Sequence, residues 1–348
     1  MNYIQVNPFS AVQKQLHMQI RLNRYTPRLF VLGCLSVLLA GGLASAAPPE
    51  LASLRCEYRT EPCGLDVAQP RLSWLNTATA RGARQTAYQV LVASAPELLA
   101  KDTGDLWDSG KTATDQSIAV RYAGHPFSSE TQYFWKVRIW DQSGLSSAWS
   151  LPASFLTGKM QPADWRGQWI GPAVVKPAPP ANTHGKVAAK NAAAPTVAKP
   201  VRQHGAIYLR KEFALAKPAV RAVLSFSGLG FSEVAIDGVK VGEYVIGPGF
   251  TDYEHRVQYL TFAVAKYFTV PGRKRLDVTL VDGWYALKKD PWVHKFEQQP
   301  YVDRPKLLLD LRLIHADGTE TLIRSDMSWR WSTGEITQSW IAQEDLDL

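Results

Sequence analysis

The chain has 348 residues, 46% of them hydrophobic, and a formal net charge of +8. Nine of its 39 Lys and Arg residues lie in residues 1–49 and 172–205, two segments that contain no Asp or Glu. Without those nine cations the formal net charge of the remaining sequence is −1. A nucleic-acid-binding protein needs clustered positive charge on its folded surface, so the charge distribution argues against that class of function.

Residues 1–46 are predicted to be a signal peptide. Three arginines, the last of them Arg28, precede the apolar run Leu29–Leu43, and Ala44-Ser45-Ala46 supplies a small-residue cleavage site. The apolar run is too short to cross a bilayer. We therefore expect a secreted or periplasmic protein with no membrane contact beyond the signal peptide.

Two cysteines, Cys56 and Cys63, follow the predicted signal. An oxidising compartment permits a disulfide between them. The alternative is that both are small buried residues near the end of a strand. The sequence leaves both interpretations open.

The first predicted domain spans residues 49–158 and consists of short strands separated by turns. In the segment 133–140, apolar residues from Tyr133 to Ile139 alternate with a second set that includes Lys136 and Arg138. The first set is predicted to face the core and the second to face outward. Several strands in about a hundred residues indicate a β-sandwich, and the segment YFWKVRIWDQSGLSSAWS resembles a fibronectin type III domain.

The second predicted domain spans residues 162–348 and is again rich in strands. Its Asp237-Gly238 and Asp317-Gly318 steps are typical of tight hairpins, because such turns need positive φ. These features predict an all-β chain whose second domain is a jelly-roll or lectin-like sandwich. Residues 172–205 are rich in Ala, Pro and Lys and contain no aromatic residue, so they are predicted to be a disordered insertion. The predicted strands are 208–213, 222–226, 233–236, 257–262, 276–281 and 306–315.

An aromatic loop lies between the last two of these strands and carries Trp284, Tyr285 and Trp292. Large rings on a loop are stabilised when they pack on a flat apolar surface. Two alternatives follow: these residues contact carbohydrate, or they pack against another domain.

Several segments, in this order, resemble the N-terminal region of bacterial α-L-rhamnosidases of the glycoside hydrolase family 78 type. They include Trp165-Arg166-Gly167-Gln168-Trp169, Gly247-Pro248-Gly249-Phe250-Thr251-Asp252-Tyr253 and Asp282-Gly283-Trp284-Tyr285. The resemblance implies an inverting hydrolysis of terminal α-L-rhamnose by two carboxyl groups. In that family those carboxyl groups belong to an (α/α)6 barrel, and the sequence up to Leu348 does not reach it.

The resemblance therefore implies no catalytic residue in this chain. The histidines are scattered, without the paired spacing that suits a metal, so no metal site is expected, and no cofactor is expected either. Whether the chain counts as an enzyme stays open, since the family is a glycosidase but these two domains alone are expected to be inactive. The expected partners are rhamnose-containing glycans or glycosides and the missing catalytic barrel domain. Two other functions stay open: a stand-alone carbohydrate-binding module, and an extracellular adhesion or scaffold protein.

Overall fold

The computed structural model describes residues 50–77, 82–172, 205–283, 285 and 304–334, together with the backbone of 336–340 and 343–346. The predicted signal peptide and the interior of the Ala/Pro/Lys-rich segment lie outside these residues. No helix in the described ranges is long and apolar enough to cross a membrane.

The strands of the first half are β1 (Glu50–Cys56), β2 (Cys63–Leu65), β3 (Arg71–Thr77), β4 (Gln85–Ala93), β5 (Trp107–Asp108), β6 (Val120–Arg121), β7 (Gln132–Asp141) and β8 (Ala153–Thr157). A short helix, α1 (Pro96–Ala100), follows β4, and a 3-10 turn spans Pro162–Asp164. We call the two sheets built from β1–β8 the first sandwich.

The strands of the second half are β9 (Ile207–Leu215), β10 (Ala219–Leu229), β11 (Phe231–Ile236), β12 (Val239–Lys240), β13 (Leu260–Ala263), β14 (Gly272–Val281), β15 (Lys306–His315), β16 (Glu320–Arg324), β17 (Arg330–Thr333), β18 (Ile336–Trp340) and β19 (Gln343–Leu346). A second 3-10 turn spans Ala265–Tyr267. We call the two sheets built from β9–β17 the second sandwich; β18 and β19 pair only with each other.

The first sandwich consists of a three-stranded sheet, ordered β1-β3-β6, and a five-stranded sheet, ordered β2-β8-β7-β4-β5. Their facing side chains form one core that includes Trp74, Val90 and Trp135. The predicted inward set of β7 is confirmed, since Tyr133, Trp135, Val137 and Ile139 all lie in this core. Alternation along a strand places them on one face.

The predicted outward set of β7 is not all solvent-facing, because α1 packs on that side. Lys136 is buried, and its Nζ donates a 2.5 Å hydrogen bond to the carbonyl oxygen of Leu99 and forms an ion pair with Asp102. The ring of Trp149 lies 4.7 Å from the same ammonium. The period-two pattern identified the face correctly but could not show what covers it.

The second sandwich consists of a four-stranded sheet, ordered β13-β10-β15-β16, and a five-stranded sheet, ordered β12-β11-β14-β9-β17. Its core includes Leu224 and Phe226 from β10 and Leu309 from β15. Both predicted Asp-Gly turns are hairpins, the first joining β11 to β12 and the second joining β15 to β16. The two-sandwich, all-β prediction is confirmed.

Candidate functional site

The aromatic loop predicted as a binding surface is only partly within the described residues. Trp284 and Trp292 lie outside them. Tyr285 is half-buried, and its ring meets that of Tyr253 edge to face, with ring centroids 5.4 Å apart. Tyr253 in turn meets Phe250 edge to face at 5.8 Å. The structure therefore brings Tyr285 together with two rings of the segment 247–256 that sequence reasoning had not assigned to the site.

Backbone contacts explain why these two segments meet. The carbonyl oxygen of Gly247 accepts a 2.7 Å hydrogen bond from the amide of Ser232, at the start of β11. Gly283 has a φ of +52°, and a Cβ there would come within 3.0 Å of the Phe231 amide nitrogen. Only glycine fits such a close approach at this φ. The turn after β14 and the segment around Phe250 are thus held at the same end of the second sandwich.

Beside these rings, the side chains of Asp252, Glu254 and His255 converge. Their possible ligand atoms lie within 4.8 Å of one another, and all three residues are exposed. His255 Nδ1 lies 3.0 Å from a carboxylate oxygen of Asp252. Sequence reasoning missed this group because a single histidine next to two acids has no paired metal-ligand spacing. Exposed groups of this kind are common without an ion, so the geometry does not make a metal centre.

A second feature is a buried cluster where the two sandwiches meet, which we call the polar joint and define as Glu130, Lys159, Ser225 and Asp310. Lys159 Nζ donates to Asp310 Oδ2 at 2.7 Å and lies 3.1 Å from Glu130 Oε1. Ser225 Oγ donates to Glu130 Oε1 at 2.7 Å. The Lys159, Glu130 and Asp310 side chains are at most 5% exposed. Buried charges are tolerated when they are paired and hydrogen-bonded in this way.

The register between β10 and β15 explains how the residues of the polar joint come together. Leu224 and Phe226 of β10 and Leu309 of β15 face the core of the second sandwich. The residues that alternate with them, Ser225 and Asp310, therefore lie on the opposite face, where they contact Glu130 and Lys159. Ser225 and Asp310 are direct cross-strand partners on that side. An acid inside the apolar run Leu307-Leu308-Leu309-Asp310-Leu311 is the sequence signal that could have identified this position, because an unpaired buried carboxylate is costly.

The two sandwiches also contact each other where backbone of the first sandwich lies close to Tyr259 and Thr261 of the second. The amide of Lys159 donates to Tyr259 Oη at 2.8 Å. A Cβ added at Gly158 would lie 2.3 Å from that same oxygen. At Gly64, where φ is +81°, a Cβ would lie 2.9 Å from the Cβ of Thr261. Two glycines of the first sandwich therefore lie where any larger residue would push the second sandwich away.

The two cysteines that could have formed a disulfide are free thiols in this structure. Cys56 is buried in the core of the first sandwich, and burial raises its pKa to about 12. Cys63 Sγ instead donates to the carbonyl oxygen of Thr261 at 3.2 Å, across the contact between the sandwiches. In this structure the Cys63 thiol therefore contacts the second sandwich rather than Cys56.

Chemically, the polar joint is suited to holding two bodies in a fixed orientation. Asp310 Oδ2 accepts hydrogen bonds from the Lys159 ammonium and, at 2.9 Å, from the Arg166 amide. Glu130 forms an ion pair with the same ammonium. Glu130 Oε1 and Asp310 Oδ2 are thus bound by groups of the protein itself, whereas the buried Asp310 Oδ1 has no hydrogen-bond partner among the described residues. A general acid or base must instead reach a proton of the substrate.

Comparisons with known proteins agree across both sandwiches. Residues 51–161 match the family model "Rha78A-like, N-terminal immunoglobulin domain", and residues 217–348 match "Alpha-L-rhamnosidase N-terminal domain". The first sandwich is therefore described by an immunoglobulin-domain model, within the sandwich class predicted from the sequence.

Individual relatives and solved structures that resemble the chain are also named alpha-L-rhamnosidases. An alpha-L-rhamnosidase of Formosa agariphila is 31% identical over 78% of this chain and 27% of the relative. The solved alpha-L-rhamnosidase of Dictyoglumus thermophilum has a TM-score of 0.71 at 31% identity, over 85% of this chain and 31% of that one. The enzyme of Streptomyces avermitilis, solved in complex with L-rhamnose, has a TM-score of 0.72 at 27% identity, over 86% of this chain and 42% of that one. The chain spans between a quarter and about two-fifths of the length of these relatives.

Proposed function

The chain belongs to the alpha-L-rhamnosidase family, and on that premise we propose that its two sandwiches are the non-catalytic support of a hydrolase for terminal α-L-rhamnose. The relatives extend well beyond the region they share with this chain, so we place the reaction in a further domain. The proposed substrates are rhamnose-containing glycans and glycosides, since the Streptomyces avermitilis enzyme was solved with L-rhamnose. We also propose that the protein is exported, because residues 1–46 contain basic residues, then an apolar run, and then small residues suited to signal cleavage.

The polar joint carries this proposal. Glu130 and Asp310 are the buried carboxylates at the contact between the sandwiches, and both are paired with Lys159. A pair of acids that hydrolysed a glycoside would need room for the sugar and a water between them. Carboxylates bound to a shared lysine instead fix the orientation of one sandwich on the other, which is what a support requires.

A domain replacement tests the proposal. The region of the Streptomyces avermitilis enzyme that matches this chain would be replaced by residues 50–348, and rhamnose release from an aryl α-L-rhamnoside measured. We expect the chimera to release rhamnose and the 348-residue chain alone to release none. Release by the chain alone, abolished by Asp310→Asn but not by the matched surface variant Asp108→Asn, would contradict a purely supporting role.

A second candidate function, direct carbohydrate binding, is favoured by the exposed aromatic end of the second sandwich. Phe250 is 52% exposed and lies edge to face with Tyr253, and aromatic rings pack well on the apolar faces of sugars. Titration with L-rhamnose and rhamnose-containing oligosaccharides should change the tryptophan fluorescence, and Phe250→Ala, Trp284→Ala and Trp292→Ala should weaken the response. Val270→Ala, an exposed apolar control, should not. Absence of any response at sugar concentrations of about 1 mM or more would retire this function.

A further inference from the structure

A groove of about 460 Å³ lies along β9 in the five-stranded sheet of the second sandwich, and we call it the basic groove. Its lining includes Arg210, Lys211, Arg273 and Arg330, with Glu212 as the single acid among the lining residues. The remaining sequence outside the two cationic segments has a formal net charge of −1. A lining of four cations and one acid therefore concentrates positive charge along β9, on a nearly neutral body.

The edge of the sheet shapes the groove. β17 pairs with β9 only from Ile207 to Arg210. Beyond that point, among the described residues, Lys211 to Leu215 have a sheet neighbour only on the β14 side. The step where β17 begins creates a trough along β9. Phe213 also lines the trough, but its ring packs against Phe268 on the core side of β9, with ring centroids 6.2 Å apart.

The register forces like charges together. Arg330 on β17 is the direct cross-strand partner of Arg210 on β9, and like charges directly opposite each other destabilise a sheet. Arg210 Nε donates to Asp277 Oδ1 at 2.6 Å, but Arg275 Nε donates to the other oxygen of the same carboxylate at 2.6 Å. One acid thus serves two arginines.

Near Arg273 and Arg330, too, the lining of the groove has fewer acids than cations. Glu212 accepts a 2.6 Å hydrogen bond from Arg273, and the pKa of Glu212 is lowered by this bond and by the nearby charges of Arg330 and Arg210. Arg330 is exposed, and it has no ion pair of its own among the described residues. The groove therefore retains guanidinium donors that can bind an added anion, and guanidinium binds planar carboxylates and sulfates through paired hydrogen bonds.

We propose that the basic groove binds an acidic saccharide, whose carboxylate or sulfate group contacts Arg330 and Arg210. The volume suits one or two sugar units, since ligand sites span roughly 300–1,000 Å³. That the ligand is a saccharide rests on the proposed function; that it is an anion rests on the groove itself. The site lies in the second sandwich and uses none of the aromatic residues near Phe250.

The test is a titration of the whole chain with three oligosaccharides of equal length: an oligogalacturonate, a sulfated oligosaccharide and a neutral maltooligosaccharide. Binding of one or both acidic sugars and not of the neutral one is expected, and the comparison identifies which anion is preferred. The affinity should fall with added salt, because exposed charges are screened within about 10 Å at 0.1 M ionic strength. Equal binding of the neutral sugar would overturn the proposal. So would tighter binding to phosphatidylglycerol vesicles than to either acidic sugar.

Three variants localise the site. Arg330→Gln should weaken binding of the acidic sugar by about threefold to tenfold, the range expected for one exposed charge contact. Glu212→Gln should tighten it, because the change removes the only acid of the lining. Arg84→Gln, an exposed arginine of the first sandwich, is the matched control and should have no effect. An unchanged affinity in Arg330→Gln, or a weakened one in Glu212→Gln, would contradict the proposal even if every variant folds normally.

The outcome is separable from that of the proposed function. Oligogalacturonate contains no rhamnose, so its binding does not depend on a rhamnosidase reaction. Failure of the groove test leaves the result of the domain replacement unaffected, and failure of the domain replacement leaves the binding data intact.

Discussion

Replacing Lys159 by methionine should strongly destabilise the contact between the sandwiches. The change removes the ammonium that lies 2.7 Å from Asp310 Oδ2 and 3.1 Å from Glu130 Oε1. Both carboxylates then remain buried without their cation. Removing one partner of a buried ion pair costs about 3–5 kcal/mol, because the remaining charge is left uncompensated.

Two further variants distinguish the cost of leaving two buried carboxylates without a cation from the cost of removing any buried lysine. Lys136→Met also removes a buried ammonium, but its partner Asp102 is 58% exposed and can be solvated by water, so we expect a smaller loss of about 1–2 kcal/mol. The triple variant Glu130→Gln, Lys159→Met, Asp310→Asn should recover much of the stability, since replacing every member of a buried charge cluster is often close to neutral.

The measurement is urea unfolding followed by tryptophan fluorescence, with the free energy of unfolding extrapolated to water. The reasoning is refuted if Lys159→Met costs less than about 1 kcal/mol, the upper range for exposed ion pairs. It is also refuted if the triple variant is less stable than the single one, because the carboxylates would then not be the source of the loss.

Three further outcomes are expected. Gly158→Ala should lower the unfolding free energy by about 1–3 kcal/mol through overpacking against Tyr259 Oη, and Tyr259→Phe in the same chain should restore part of that loss; no rescue would mean that the clash is elsewhere. Alkylation mapped by mass spectrometry should label the exposed Cys63 faster than Cys56 in the native chain, because Cys56 is buried and burial raises its pKa. Both should be labelled rapidly after denaturation. Resistance to alkylation that persists in denaturant and disappears on reduction would instead show the disulfide between Cys56 and Cys63 that the sequence leaves open. A hydrogen bond from Arg71 lowers the pKa of Glu57 below its ordinary value of 4.5. The ionised Glu57 therefore contributes its full stabilisation above pH 4.5, and this contribution declines as the pH falls. Glu57→Gln should therefore reduce the loss of stability between about pH 7 and pH 3 in acid-unfolding curves, and identical slopes would refute the assignment.

The sequence by itself determined the two-sandwich fold and most of its strands. β15 runs from Lys306 to His315, as the apolar run predicts, and both Asp-Gly steps form hairpins. These features depend on local chemistry: alternating side chains select a face, and positive φ selects glycine. The family resemblance was also carried by short segments, and the comparisons support it.

Only the tertiary structure decided which side chains meet. Glu130, Lys159 and Asp310 come from both sandwiches and are far apart in the chain, so no local pattern could pair them. The facing arginines of the basic groove depend on the register between β9 and β17, where a shift of one residue would turn Arg330 to the other side of the sheet. Strand formation responds to neighbouring residues, whereas a joint or a groove depends on how whole sheets are aligned and packed.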